Sequence, residues 1–222
     1  MKCFVRKTHK YLSFFISLQL LLWTISGIYF AFNKIESVRG EQYLIETPED
    51  FTLNSLDFEI LNASEVSVRK QLDKTILVAK TSKGLGYYDS EGNRLEKLSA
   101  NEVKEIVRAL TSLRPNVVTE ITKSEKGVEY RGRRLPLFKI SAKNDDDELV
   151  NVYVDAYSGD IVAIRSIHWQ IWDLMWGFHI MDWIERDNIN NILLKIFSIL
   201  ALVSSISGLL LFFKIDWPSV DS

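Results

Sequence analysis

"YLSFFISLQLLLWTISGIYFAF", residues 11–32, runs 22 residues without a charge. As an α-helix it would extend about 33 Å, the thickness of a bilayer's hydrocarbon core. Its apolar run is longer than the h-region of a signal peptide, and the small-residue candidate beside it, "YFAFN", is a poor cleavage site. A retained anchor is therefore expected. A second uncharged run, "IFSILALVSSISGLLLFF" at 196–213, follows Lys195. The Lys195 stem can snorkel to an interface, so this span is expected to begin near Ile192. Two transmembrane helices, 11–32 and 192–213, thus bracket the chain.

The flanks orient them. Lys2, Arg6, Lys7 and Lys10 lie in the first ten residues with no acidic residue among them. The rule that basic loops stay inside then places residues 1–10 and the tail 214–222 in the cytoplasm. Residues 33–191 become one extracytoplasmic, periplasmic segment of a protein in the bacterial inner membrane. That segment holds 21 Lys/Arg against 27 Asp/Glu, and the whole chain has a net charge of −2, so a nucleic-acid partner is not expected. The single cysteine, Cys3, precedes the first span, so the segment must fold without disulfides.

Within that segment the clearest element is "LSANEVKEIVRALTSLRPN" (98–116). Ser99 and Glu102 form a capping box, and Val103, Ile106, Val107, Leu110 and Leu113 share one helical face. Pro115 is expected to stop the helix. Alternating runs at 116–122, 135–142 and 148–156 read as strands, and "YSGD" turns the chain into "IVAIRS". "KGVEYRGRR" (126–134) is expected to be a hairpin excursion. One helix on an antiparallel sheet, an α+β unit over 99–166, results. Upstream, "GYYDSEGNRLEKL" (86–98) parallels "VYVDAYSGDIVAI" (152–164). In each, an aspartate (Asp89, Asp155) opens a turn that a glycine (Gly92, Gly159) allows. Residues 33–98 therefore read as a degenerate earlier copy, a tandem arrangement whose first helix the pattern does not reveal.

"HWQIWDLMWGFHIMDW" (168–183) holds four of the six tryptophans and two of the three histidines. On one continuous helix, 167–184, Trp169, Trp172, Trp176, His179 and Trp183 form a stripe, with Gln170, Asp173 and Gly177 in a polar sector opposite. Close before a membrane span, such a stripe is expected to be an interfacial helix, its indoles in the headgroup layer, fixing the pose of the domain. A groove for a cofactor or partner is the other reading.

The 153–162 unit, Tyr-Val-Asp then Ser158-Gly159-Asp160 and Ile161-Val162, with its helix and strands, resembles a PepSY domain. "RKTHKYLSFFISLQLLLWTISGIYF" (6–30) resembles the first helix of PepSY-associated membrane proteins. The run 169–213 is similar to the short two-helix members of that group. Members with more helices carry b-type heme on histidines and reduce siderophore-bound iron in iron uptake. Other PepSY domains bind peptidases or serve as interaction modules. His9 matches the first-helix histidine, Ser13 replaces the usual glycine, and the further helices and histidines of the heme-bearing members are absent.

Geometry limits the heme reading. His9 lies at the inner end of the first helix and His168 and His179 on the outer side, roughly 30 Å away. On one helix His168 and His179 would stand about 16 Å apart. Two axial ligands of one iron stand about 4 Å apart. A bis-histidine heme on His9 or His179, or on His168, therefore needs a homodimer or a partner subunit. The bland reading makes His9 an interfacial polar residue and His179 part of an aromatic belt.

The matched "ISG" tripeptides, with Ser26-Gly27 and Ser207-Gly208, put small residues where helices can approach. In an antiparallel pair they lie on opposite sides of the midplane, so each would serve a separate contact, a second protomer among the candidates. None of Gln19, Thr24, Ser204 or Ser205 is ionisable, so no proton path is expected. "DDDE" (145–148) could hold Ca²⁺ but reads first as a solvated turn. "RGRR" (131–134) could meet an anionic partner but reads first as an exposed loop. No nucleophile elbow, phosphate loop or HExxH is present, so an enzyme acting alone is not expected. Three readings remain: an accessory module docking a membrane or periplasmic protein, a heme-bearing electron-transfer subunit, and a purely structural anchor.

Overall fold

The computed structural model describes residues 2–46, 60 and 62–215. The chain begins with α1 (Lys2–Phe32), α2 (Ile35–Arg39) and a 3-10 turn (Glu41–Tyr43), followed by strands β1 (Ala63–Gln71), β2 (Lys74–Thr81) and β3 (Gly84–Asp89). Next come α3 (Ala100–Leu110), β4 (Arg114–Ile121), β5 (Leu137–Lys143), β6 (Leu149–Asp155) and β7 (Ile161–Arg165), then α4 (Ile167–Ile180) and α5 (Ile192–Ile215). Residues 47–59 of the expected first copy and 216–222 of the expected tail lie outside the described residues. Two units form: Met1–Lys34 with Ile171–Ser222, here the helical unit, and Ile35–Gln170, the sheet domain. Among the described residues two helices are long and apolar enough to cross a membrane, Arg6–Phe32 and Ile192–Phe213. The basic N-terminal stretch is helical from Lys2 and continuous with the first apolar helix. None of its residues is a proline or glycine that would break the helix.

The sheet domain holds two antiparallel sheets, β1-β2-β3 and β4-β5-β6-β7. Strand β2 is central, and its unbroken "ILVA" is buried on both faces. In the second sheet α3 lays Val103, Ile106 and Val107 on Phe138, Ile140, Val152 and Val154 of β5 and β6. The Ser99–Glu102 capping box forms, with each side chain bonding the other residue's backbone N–H. Pro115 does not end α3. Thr111 does, at φ −140°, and Pro115 sits in the edge strand β4, next to an irregularity in its pairing with β5.

The two aspartate turns share a geometry. Asp89 Oδ1 accepts from Glu91 N and Asn93 N, Gly92 has φ +86°, and Asp89 N donates to Asn93 O. Asp155 Oδ1 accepts from Tyr157 N and Ser158 N, Gly159 has φ +77°, and Asp155 N donates to Asp160 O. After the second turn β7 returns as a full strand; after the first, a single bridge joins Tyr88 and Arg94.

Two expectations about this domain change. The 122–136 segment contains turns but no strand, so it is not a hairpin. Its Glu129 carboxylate accepts from Tyr153 Oη, Asn151 Nδ2 and Gln170 Nε2, which ties the loop to the sheet in place of ladder bonds. Residues 35–45, assigned from sequence to the earlier copy, join the later one. Ile45 N donates to Leu110 O, Ser112 N to Tyr43 O, and Gly40 at φ +80° leaves no room for a Cβ against Ile164.

Candidate functional site

Two groups of polar side chains in the helical unit each surround a histidine. His9 Nδ1 lies 2.9 Å from Ser207 Oγ and 3.2 Å from Ser204 O, while Ser13 Oγ and Ser204 Oγ are 2.8 Å apart. A carbonyl only accepts, and Ser207 Oγ already donates to Ser204 O. Nδ1 therefore carries a proton, which in the neutral tautomer leaves the lone pair on Nε2. Gly208 makes the approach possible, because a Cβ there would stand 3.1 Å from His9 Cε1. Ser13 belongs to this cluster.

The pairs 13–204 and 9–207 fix an antiparallel register. Carried along both helices, it sets Ile192, the first residue of α5, level with about Ile25 of α1. The last two turns of α1 run past α5, and Ser26 and Phe30 on one face of them meet α4. Phe30 packs on Trp172 (5.2 Å between centroids) and Trp176 (6.3 Å), and Trp172 stacks on Trp176 at 5.5 Å. His179 then stacks on Trp176 at 10° and sits edge-on to Phe30, its Nδ1 2.8 Å from the fully buried Ser26 Oγ. Burial lowers the His179 pKa and favours its neutral ring. The first "ISG" serine holds one histidine and the second holds the other, both within one chain. Gly27 has nothing within 4 Å of a built Cβ, so it is not a packing contact among the described residues.

The carboxyl end of α4 is closed by the other helices. Gln19 Nε2 donates to Phe178 O (3.1 Å), Trp23 Nε1 to His179 O (2.7 Å) and Asn191 Nδ2 to Ile180 O (2.8 Å). These are the carbonyls a helix end leaves open. The helix expected over 167–184 is shorter: α4 stops at Ile180, where Met181 takes φ +56°, and its 172–179 stretch meets α1 at Trp23, Ser26 and Phe30. Trp183 lies beyond the helix and is half exposed, so the stripe does not reach it.

Trp169 leaves the stripe too. It is 9% exposed inside the sheet domain, with the Arg165 guanidinium 4.5 Å and the Arg131 guanidinium 5.4 Å from its ring centroid. Burial, with Arg133 nearby, pushes Arg165 down to about 10. His168 is exposed on the first turn of α4. Asp173, placed by its sequence position in a polar sector, is 1% exposed and accepts from Arg186 Nη1 at 2.9 Å. The signal was available: a carboxylate in a helix of aromatic and aliphatic residues needs a cation close by.

His9 and His179 meet α1 at levels about fifteen residues apart, roughly 22 Å, so one chain does not supply two axial ligands to one iron. Among the described residues no group of three or more His, Cys, Asp and Glu could hold a metal ion, the 145–148 turn included. There Asn144 Oδ1 accepts from Asp146 N and Glu148 N, and Asp147 pairs with Arg114.

Neither a curated protein nor a solved structure matches the sequence. The family described as "PepSY-associated TM region" matches residues 6–220, which takes in both apolar helices, the sheet domain and α4. The chain belongs to the PepSY-associated transmembrane family.

Proposed function

We propose that this membrane-associated PepSY-type protein is an accessory protein, anchored in the bacterial inner membrane with both ends cytoplasmic, whose sheet domain docks a protein partner outside. The observation that carries the reading is β4. It pairs with β5 alone among the described residues, and most of its side chains are exposed, Val117 at 55%. An eight-residue edge strand offers a row of backbone donors and acceptors to an added strand. Partners of an uptake, redox or peptidase system are the classes that the family context suggests.

The test is a photo-crosslinking side chain at Val117 in the full chain in its membrane, with a control at the exposed Arg108 of α3. A discrete adduct at Val117 that is missing at Arg108 supports docking at this edge. The same products at both positions, or none at Val117, would overturn it.

A second reading is a b-type heme electron-transfer subunit serving iron reduction. It draws on the fixed Nδ1 of His9, which leaves Nε2 as the coordinating nitrogen, and on the similar placement of His179. A second copy or a partner would supply the other axial ligand. Reduced-minus-oxidised absorption spectra of the purified protein test it. A heme band that disappears in His9→Ala or His179→Ala supports it, and a colourless protein from heme-replete cells counts against it.

A further inference from the structure

Beside the β1-β2-β3 sheet lies a cleft of about 390 Å³, bounded by that sheet, by the 132–134 stretch and by the β6–β7 turn. An adjoining cavity of about 440 Å³ shares Lys80, Tyr87, Arg134 and Asp155 with it and adds Leu135 and Pro136. Four cations line the first cavity: Arg69, Lys80, Arg133 and Arg134. Three carboxylates oppose them, and two are already engaged. Asp160 pairs with Arg69, and Asp155 Oδ1 takes two backbone N–H groups at 2.9 Å. Glu65 is the third. The side chains of Lys80, Arg133 and Arg134 make no hydrogen bond or ion pair among the described residues.

Beyond the Arg69–Asp160 pair, three cations face the two carboxylates Asp155 and Glu65, so the lining keeps a net positive charge that favours an anion. Guanidinium groups offer forked donors matched to carboxylate or phosphate oxygens. Where the two cavities join, the wall is aromatic: Tyr87, which lines both, stacks on Tyr157 of the second at 5.2 Å and 16°. Burial, then Asp155, pushes the Tyr87 hydroxyl up to about 12, so it remains a donor at neutral pH. The cavities have the size of small-molecule sites. The wider surroundings argue against a polyanion. Residues 33–191 carry six more acidic than basic residues, so an extended anionic partner meets a repelling field, whereas a small ligand feels mainly the cleft.

We propose that this cleft binds a small multivalent oxyanion, a molecule with two or more carboxylates or phosphates, held by Lys80, Arg133 and Arg134 beside Tyr87.

The test is calorimetric titration of the full-length protein in mild detergent at low salt, with citrate in one arm and pyrophosphate in the other. Saturable 1:1 binding is expected in at least one arm, and the arm that saturates identifies the source as carboxylate or phosphate. Arg133→Gln/Arg134→Gln, both exposed and outside the core, should weaken binding at least about tenfold, and Lys80→Gln should weaken it as well. Glu65→Gln should strengthen it, an outcome that misfolding does not produce. Arg108→Gln on α3, away from the cleft, should leave it unchanged. No saturable heat with either probe, or equal affinity in the double variant, would overturn the assignment. Tighter binding of a hexaglutamate peptide than of both probes would overturn it in favour of an acidic peptide.

Discussion

Asp173 is the residue on which the helical unit turns. Its carboxylate is 1% exposed and its ion pair with Arg186 is 2.9 Å long, with the Arg186 side chain 31% exposed. Breaking a buried pair from one side costs far more than removing both partners, because a charge stays in a low dielectric. Arg186→Ala should therefore lower stability by about 3 kcal/mol, and Asp173→Asn added to it should recover part of that loss. Thermal unfolding of the four proteins of this cycle in one detergent measures the coupling; additive losses would refute it. The histidine anchors are weaker. Ser207→Ala removes a 2.9 Å bond to His9 from a residue 8% exposed, and about 1 kcal/mol is expected in the same assay. Sequence position alone told which way Asp173 points relative to the tryptophans. It could not tell that the chain folds back and brings Arg186 over that face, because the partner lies thirteen residues on and beyond the helix end. For the same reason Trp172 and Trp176 were legible as one stripe, whereas Trp169 was lost to two arginines from other strands and loops.

At the level of elements, the 181–191 connection is held by one carboxylate. Asp182 accepts from Glu185 N, Asp187 N and Asn188 N. Burial works to raise its pKa, but these N–H bonds outweigh it and hold the group at about 2, below the ordinary 3.8. A depressed carboxylate contributes stability above its unfolded value and loses it as pH falls through the folded one. The connection should thus loosen between about pH 4 and pH 2. Fluorescence of the half-exposed Trp183 should follow that change in the parent protein, and Asp182→Asn should abolish it over the same range. In the sheet domain Gly159 carries the equivalent burden for the second turn. A Cβ there would meet Ile106 Cδ1 at 2.7 Å, and φ is +77°. Gly159→Ala should cost about 1–3 kcal/mol, read by circular dichroism melting. That turn was visible in the sequence because aspartate and glycine each have a local reason to be there. The end of α3 was not, because Thr111 ends it through an extended φ while the proline that usually marks such an end serves in β4.

Over the whole molecule, the two spans were legible because a bilayer sets their length without help from any contact. The join at residues 35–45 was not, since its partners on β7 and after α3 are set by tertiary packing. The register of α1 on α5 bears on topology. It brings the end of α5, near Phe213, level with about Phe4, so the basic residues Lys2, Arg6 and Lys7 and the following Lys214 gather at one end of the pair. Both termini should then face the side where positive charge is retained. Cys3 is the chain's single thiol and reports on that end directly. In intact cells a membrane-impermeant maleimide should leave Cys3 unlabelled, and detergent permeabilisation should expose it. In a Cys3→Ser background, Ser90→Cys at the exposed tip of the first aspartate turn should label without permeabilisation. Labelling of Cys3 from outside, or protection of the residue-90 thiol, would invert the orientation. The sheet domain and its oxyanion cleft would then face the cytoplasm, and a partner outside the cell membrane would be ruled out.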